Sequence, residues 1–166
     1  MPYQKGWKVC YACTGLWLCP DTKNFGGACV GPAGEHDAMG APMFFELYYF
    51  GPETVRNYSG IEQDNWRCCK KCFVLFFDGN KSAGVCPAGG EHDSSGSKNY
   101  ILEHQRYLFT DDRHRLLINW RWCKKCRQLC QPDWLVSRDF MCPSAPNATH
   151  DTQGSGFYCV RQDQWI

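Results

Sequence analysis

The sequence predicts an all-β protein built from three related segments, and three observations support this. One pattern, a tryptophan, a C-x-x-C pair, a single cysteine and a His-Asp pair, occurs three times in 166 residues. Short apolar stretches separated by glycine-rich segments are typical of strands and hairpins. Helical periodicity is nearly absent. We therefore expect a single domain, 1–166, made of repeats at about 1–61, 62–115 and 116–166.

Each repeat supplies four candidate metal ligands. The twelve residues are Cys10, Cys13, Cys29 and His36; Cys69, Cys72, Cys86 and His92; and Cys123, Cys126, Cys142 and His150. A two-residue spacer lets both sulfurs of a pair face one ion, and the 13 to 15 residues before the third ligand allow a hairpin to return. Three thiolates and one imidazole suit tetrahedral zinc and leave no open position for a catalytic water. We predict three structural zinc ions.

The composition also calls for stabilising cross-links. Ile, Leu and Val together number 21, which is few for an aliphatic core, so units of about 50 residues would need metals or disulfides. A disulfide framework is the alternative for thirteen cysteines. The odd number of cysteines and the histidine that completes each set favour zinc. Four cysteines outside the sets are predicted to be buried, inert thiols: Cys19, Cys68, Cys130 and Cys159.

Similar strands are predicted in every repeat. The opening W-[KR]-x-C-x-x-C-x-x-L predicts a strand, a knuckle turn and a returning strand such as 73–77. Glycine-rich text then predicts a loop, and the stretches FFELYYF, NYILEH and RLLINW predict further strands. The motif H-D-x-x-G-[SA]-x-x-[FY] places Phe44, Tyr100 and Tyr158 at equivalent positions. Four short strands per repeat indicate a threefold, β-trefoil-like architecture, with a three-bladed ring of zinc ribbons as the alternative.

The two ends of the chain suggest a closed ring. RQDQW, ending at Trp165, resembles the EQDNW that precedes the second repeat, so the last strand is expected to lie beside the first. Such closure removes the open strand edges that promote aggregation.

Two groups of acidic residues are candidates for binding. Asp37, Asp93 and Asp151 follow the histidines, and we expect their side chains to shape the following turns. At the hairpin tips, acids and amides lie beside aromatic rings, a combination that can bind sugar hydroxyls while a ring stacks on the sugar; simple hairpin turns are the alternative. The candidate ligand-binding residues are Trp17, Asp21, Asn24, Phe77, Asp78, Asn80, Asp133 and Trp134.

Charge and motifs exclude several classes of function. The formal charge is +1, but nine metal-bound thiolates would subtract nine charges and three zinc ions add six, which gives −2. This charge argues against nucleic acid as a partner, and the alternative is a local basic patch formed by Lys70, Lys71, Lys124, Lys125 and Arg127. No stretch is long and apolar enough for membrane insertion, and the N-terminus lacks a signal-like apolar run, which predicts a cytoplasmic protein. No catalytic motif is present, so we expect a non-enzyme.

The segments WRCCKKCFVLFF and VCPAGGEHD resemble a repeat found in many uncharacterised bacterial and fungal proteins. The resemblance covers nearly the whole chain. This resemblance implies a metal site in each repeat. The threefold plan separately resembles the β-trefoil lectins, many of which are leaderless cytosolic proteins of fungi, and implies a lectin that binds glycans or glycoconjugates multivalently. The alternatives are a zinc-ribbon-like module that binds protein or nucleic acid through its basic knuckles, and a protease inhibitor.

Overall fold

The computed structural model describes residues 2–19, 25–38, 44–50, 62–104, 116–132 and 140–163, and within these ranges it contains strands but no helix. The prediction of an all-β fold is confirmed. The strands are β1 (Tyr3–Val9), β2 (Leu16–Leu18), β3 (Phe25–Ala28), β4 (Glu35–Asp37), β5 (Phe45–Phe50), β6 (Glu62–Cys68), β7 (Leu75–Phe77), β8 (Asn99–His104), β9 (Leu116–Trp122), β10 (Leu129–Cys130) and β11 (Tyr158–Gln162).

Nine of these strands form one nearly closed, barrel-like sheet, while β3 and β4 form a separate hairpin. The long strands β1, β6 and β9 each pair with the short strand that follows and with β5, β8 and β11, respectively. Strands β5, β8 and β11 also pair with one another. Of RQDQW, which was expected to lie beside the first strand, Gln164 and Trp165 are outside the described residues. The described strand at this end, β11, pairs with β5, β8 and β9 and not with β1. Lys5 of β1 nevertheless bonds Asp163 at 2.7 Å.

Three backbone hydrogen bonds join the knuckle hairpins in a cycle. The N–H of Leu18 donates to the carbonyl of Phe73 at 2.9 Å, and that of Phe77 donates to Arg127 at 2.9 Å. The N–H of Gln131 donates to the carbonyl of Thr14 at 3.1 Å. Each hairpin thus bonds to the next, and the third bonds to the first.

Aromatic rings fill the core in the same cyclic order. Trp7, Trp66 and Trp120 are fully buried, and each lies opposite an aromatic residue on the paired strand. Each tryptophan also contacts the aromatic residue of another segment edge to face, a favourable geometry for ring pairs. The centroid distances are 5.0 Å for Trp7–Tyr100, 5.2 Å for Trp66–Tyr158 and 5.6 Å for Trp120–Phe45.

Two sequence predictions are corrected here. The residue equivalent to Tyr100 and Tyr158 is Phe45 and not Phe44, because Phe45 is the one that pairs with Trp7 and is buried, whereas Phe44 is 45% exposed. Second, the strand predicted at 73–77 begins only at Leu75. Phe73 has φ = 66°, a left-handed conformation that belongs to the knuckle turn and lies outside the extended backbone of a regular strand.

Candidate metal centres

The twelve predicted ligands come together in three buried Cys3His groups, as the sequence predicted. Within each group the three sulfurs and one histidine nitrogen all lie within 4.8 Å of one another. Each group is made by one segment of the chain. The first uses Cys10 to His36, the second Cys69 to His92, and the third Cys123 to His150.

Each C-x-x-C pair lies in a knuckle turn between two strands. In the first, the N–H of Thr14 donates to the carbonyl of Cys10 at 2.9 Å, and the N–H of Cys10 donates to Gly15 at 3.0 Å. The corresponding bonds recur in the other two knuckles at 2.9 to 3.1 Å. The residue after the second cysteine has positive φ in every case: Thr14 (57°), Phe73 (66°) and Arg127 (69°). These hydrogen bonds therefore fix the backbone that carries both sulfurs of each pair.

The ligand spacing matches a tetrahedral zinc site. With Zn–S of about 2.3 Å and Zn–N of about 2.0 Å, two sulfurs lie about 3.8 Å apart, and a sulfur and a nitrogen about 3.5 Å apart. The observed sulfur–sulfur distances are 3.7 Å for Cys10–Cys29, 3.9 Å for Cys69–Cys86 and 3.9 Å for Cys123–Cys142. The distances from sulfur to histidine Nδ1 are 3.6, 3.4 and 3.4 Å.

The sulfur–sulfur distances of 3.7 to 3.9 Å are too long for a disulfide in these three pairs, because a disulfide requires about 2.05 Å between sulfurs. All thirteen cysteines are free. The four outside the groups are buried or half-buried, in agreement with the sequence prediction. Burial raises the pKa of Cys68 to about 12 and that of Cys159 to about 11, so these thiols stay protonated at neutral pH.

The charge requirements of each group favour a cation. Burial raises the pKa of Cys126, whereas hydrogen bonds from Cys126 and Cys142 lower that of Cys123. The Cys123 thiolate is thus stabilised by the neighbouring Cys126 thiol, which keeps its proton. Three thiolates in one buried space would repel one another, and a divalent cation removes that repulsion.

Backbone groups support the ligand sulfurs in a repeated way. The N–H of Asp93 donates to the sulfur of Cys69, and that of Asp151 to the sulfur of Cys123, both at 3.4 Å. The Asp93 carboxylate accepts the N–H of Ser95 at 2.9 Å, and the Asp151 carboxylate accepts that of Gln153 at 3.1 Å. These contacts confirm the predicted turn role of the two aspartates.

The distant nitrogens of the histidines distinguish the three groups. Nε2 of His92 donates to the carbonyl of Cys126 at 2.9 Å, and Nε2 of His150 donates to that of Cys13 at 2.8 Å. Nε2 of His36 is buried with no hydrogen-bond partner. The sequence showed no sign of these bonds, because each one joins a histidine to a knuckle of a different segment.

The predicted hairpin-tip residues have mixed outcomes. Trp17 is fully buried and stacks on His36 with centroids 5.4 Å apart, so its ring is not available to a sugar. Phe77 and Asp78 are half-buried and Asn80 is exposed. The Asp78 N–H bonds the Asn65 carbonyl at 2.9 Å, which fixes the base of this tip. Four other candidates lie outside the described residues: Asp21, Asn24, Asp133 and Trp134.

A cavity that sequence reasoning missed lies where β5, β8 and β11 meet. Its volume is about 200 Å³, and it is lined by ten residues, among them Glu46, Tyr48, Glu103, Cys159 and Arg161. The Arg161 Nε is buried without a hydrogen-bond partner, 4.0 Å from a carboxylate oxygen of Glu46. The Arg161 guanidinium lies 5.5 Å from the centroid of the Tyr48 ring. The period-two pattern of FFELYYF and YCVRQ was the available signal, because it places Glu46, Tyr48 and Arg161 on the side away from the core.

Comparison with known protein families, curated proteins and solved structures finds no match to this chain. The resemblance to the bacterial and fungal repeat therefore stays a prediction. Among the described residues, no helix has the length and hydrophobicity needed to span a membrane.

Proposed function

We propose that each Cys3His group holds one zinc ion and that the protein is a non-enzymatic recognition protein stabilised by these ions. The observation that carries the metal assignment is the spacing of the ligand atoms: in each group one sulfur–sulfur distance and one sulfur–nitrogen distance match the edges of a zinc-sized tetrahedron, and all four atoms lie within 4.8 Å of one another. Thiolates and imidazole favour zinc over magnesium or calcium, which prefer oxygen ligands. Because protein groups take all four positions, the ions would support the fold rather than activate water.

The proposal includes an approximately threefold arrangement of the segments. Two sets of cyclic contacts support it: the hydrogen bonds between hairpins and the edge-to-face pairs of core rings. The finer likeness to a β-trefoil stays a prediction.

Carbohydrate binding is the recognition that the cavity beside Arg161 supports best. Its guanidinium N–H groups can donate to a hydroxyl oxygen, and the Glu46 carboxylate can accept a hydroxyl proton. The gap of 4.0 Å between Arg161 and Glu46 is too long for a direct hydrogen bond but short enough for one hydroxyl to bridge. The Tyr48 ring supplies an aromatic face. The hairpin tip with the half-buried Asp78 and the exposed Asn80 offers a second place for glycan contacts.

Binding of an anionic partner is the second candidate. An open groove beside the third metal group is lined by Arg121 and Lys125, together with Thr149 and the turn residues 150–154. Arg121 stacks over the exposed ring of Phe157, with 3.4 Å between the guanidinium carbon and the ring centroid. A cation beside an exposed aromatic ring is suited to single-stranded nucleic acid.

The metal assignment is tested by measuring zinc in protein purified without added metal. We expect three zinc ions per chain, and we expect native mass spectrometry to give the mass of the chain plus three zinc ions. A protein that contains no metal and retains nine reactive thiols would contradict the assignment.

The two recognition functions are separated by a pair of arginine variants. A glycan array identifies a ligand, and titration then gives its affinity for wild type and variant. We expect Arg161→Ala to weaken sugar binding at least about 10-fold, because a hydrogen bond to a charged group is lost. Arg121→Ala lies outside the cavity and is the matched control. The alternative function predicts that Arg121→Ala weakens nucleic-acid binding, and that this binding falls steeply with salt. Absence of glycan binding would refute the lectin proposal.

A further inference from the structure

We propose that the first metal group, Cys10, Cys13, Cys29 and His36, is an exchangeable zinc site, whereas the other two groups retain their zinc. This inference rests on the proposal that all three groups bind zinc. It follows from an asymmetry within groups that are otherwise alike: only His36 lacks a partner for its distant nitrogen.

The distant nitrogen matters because it orients the ligand. When Nδ1 of a histidine binds a metal, Nε2 carries the proton, and a hydrogen bond from that N–H fixes the ring and makes Nδ1 a better donor. Loss of such a partner typically weakens metal affinity about 10- to 100-fold. In addition to its bond to Cys13, His150 lies 2.9 Å from the side-chain amide of Gln128, which can turn its oxygen toward the N–H.

The first group lies beside the backbone that would supply the missing partner, but the bond is not made. The Cys126 carbonyl accepts the hydrogen bond of the His92 N–H. Gly84 lies against this carbonyl, because a Cβ on Gly84 would be 2.4 Å from its oxygen. Gly27 lies against the Cys72 carbonyl at the same 2.4 Å. The corresponding acceptor for His36 is therefore the Cys72 carbonyl, yet Nε2 of His36 has no hydrogen-bond partner.

Access to the ligands points in the same direction. Cys29 is 7% exposed and is the most exposed of the nine ligand cysteines, compared with 3% for Cys86 and 0% for Cys142. The histidines run the other way, because His36 is fully buried whereas His92 and His150 are 5% and 6% exposed, so access to this group is through Cys29. Cys29 and His36 also lie on or next to the β3–β4 hairpin, which is separate from the main sheet. A chelator or an acceptor thiol can thus reach this group while the rest of the sheet stays paired.

The test uses the whole protein loaded with three zinc ions. The protein is exposed to a zinc chelator for increasing times, pulsed with N-ethylmaleimide, and digested for peptide mass spectrometry. We expect Cys10, Cys13 and Cys29 to be alkylated about 10- to 100-fold faster than the ligand cysteines of the other groups. Native mass spectra should show a two-zinc species that persists.

Each outcome has a distinct meaning. Parallel alkylation of the three groups, or earlier alkylation of the second or third, would refute the inference while leaving the zinc assignment intact. A chain without zinc at the start would refute the zinc assignment itself.

A pair of variants gives an independent check. His36→Cys removes an N–H that has no partner, so it should slow zinc loss from the first group relative to wild type. His92→Cys also removes the hydrogen bond to Cys126, so it should slow zinc loss from the second group by a smaller factor. Equal effects of the two variants would count against the inference.

Discussion

Replacing Gly84 by alanine would place a methyl group against the third metal knuckle. The Cβ would lie 2.4 Å from the carbonyl oxygen of Cys126 and 2.4 Å from Cγ of Arg127. The Arg127 side chain can move, but the Cys126 carbonyl is held by the knuckle and accepts the N–H of His92. The methyl group must therefore displace one segment from another.

Two penalties contribute to the expected loss of stability. Gly84 has φ = 78°, and an alanine in this left-handed region costs about 1–2 kcal/mol. Overpacking against fixed backbone adds about 1–3 kcal/mol. We expect a total of about 2–5 kcal/mol in the free energy of unfolding.

Gly96→Ala is the matched control, because Gly96 has nearly the same φ, 74°, and no atom lies within 4 Å of the place that its new methyl group would take. The free energy of unfolding of both variants is measured in urea with excess zinc, with tryptophan fluorescence as the probe. Gly84→Ala should be less stable than Gly96→Ala by about 1–3 kcal/mol. If the two variants unfold at the same urea concentration, the contact between Gly84 and Cys126 is not a constraint and the reasoning is wrong.

Three other predictions concern metal, hydrogen bonding and alkaline pH. Removal of zinc with a strong chelator should abolish the folded state, seen as loss of near-ultraviolet circular dichroism, because ligand burial and folding are linked; an unchanged spectrum would contradict this. Ser155→Ala should cost about 1–3 kcal/mol in urea unfolding, because its hydroxyl accepts the backbone N–H of Trp122 at 2.8 Å. Ser95→Ala, which removes an exposed hydroxyl that bonds the Asp93 carboxylate, should cost less and serves as the comparison. Burial raises the pKa of Tyr158 from 10.0 to about 12, so its stabilising contribution is complete below pH 10 and is lost as the pH rises toward 12. Tyr158→Phe should remove that part of the alkaline destabilisation, and an unchanged pH profile of unfolding would show that another group is responsible.

The metal groups could be predicted from the sequence because their determinants are local. The spacing of two residues within each pair and the order Cys, Cys, Cys, His survive in every segment and define both the knuckle and the ligand set. The strands beside the knuckles follow from the same alignment, and Leu16, Leu75 and Leu129 are all buried at equivalent register positions.

Features that depend on contacts between segments could not be predicted. Alignment by spacing chose Phe44, but the register with Trp7 selects Phe45, which the period-two burial of β5 makes the inward residue. Trp17 was expected at an exposed tip, yet it lies fully buried on His36. Its alignment with Phe76, which stacks on His92 at 4.7 Å, was the available signal. The cavity beside Arg161 forms only where three segments meet.

The cyclic hydrogen bonds have a consequence for any fragment of the chain. A polypeptide limited to the middle segment would expose the Phe77 N–H and the Phe73 carbonyl, which in the full chain bond to the other two hairpins. Identical copies of the fragment could satisfy one another, the donor of one reaching the acceptor of the next, until three had joined and no group was left over. We therefore expect the isolated segment, with zinc, to self-associate as a homotrimer, the form from which gene duplication and fusion could produce the present chain.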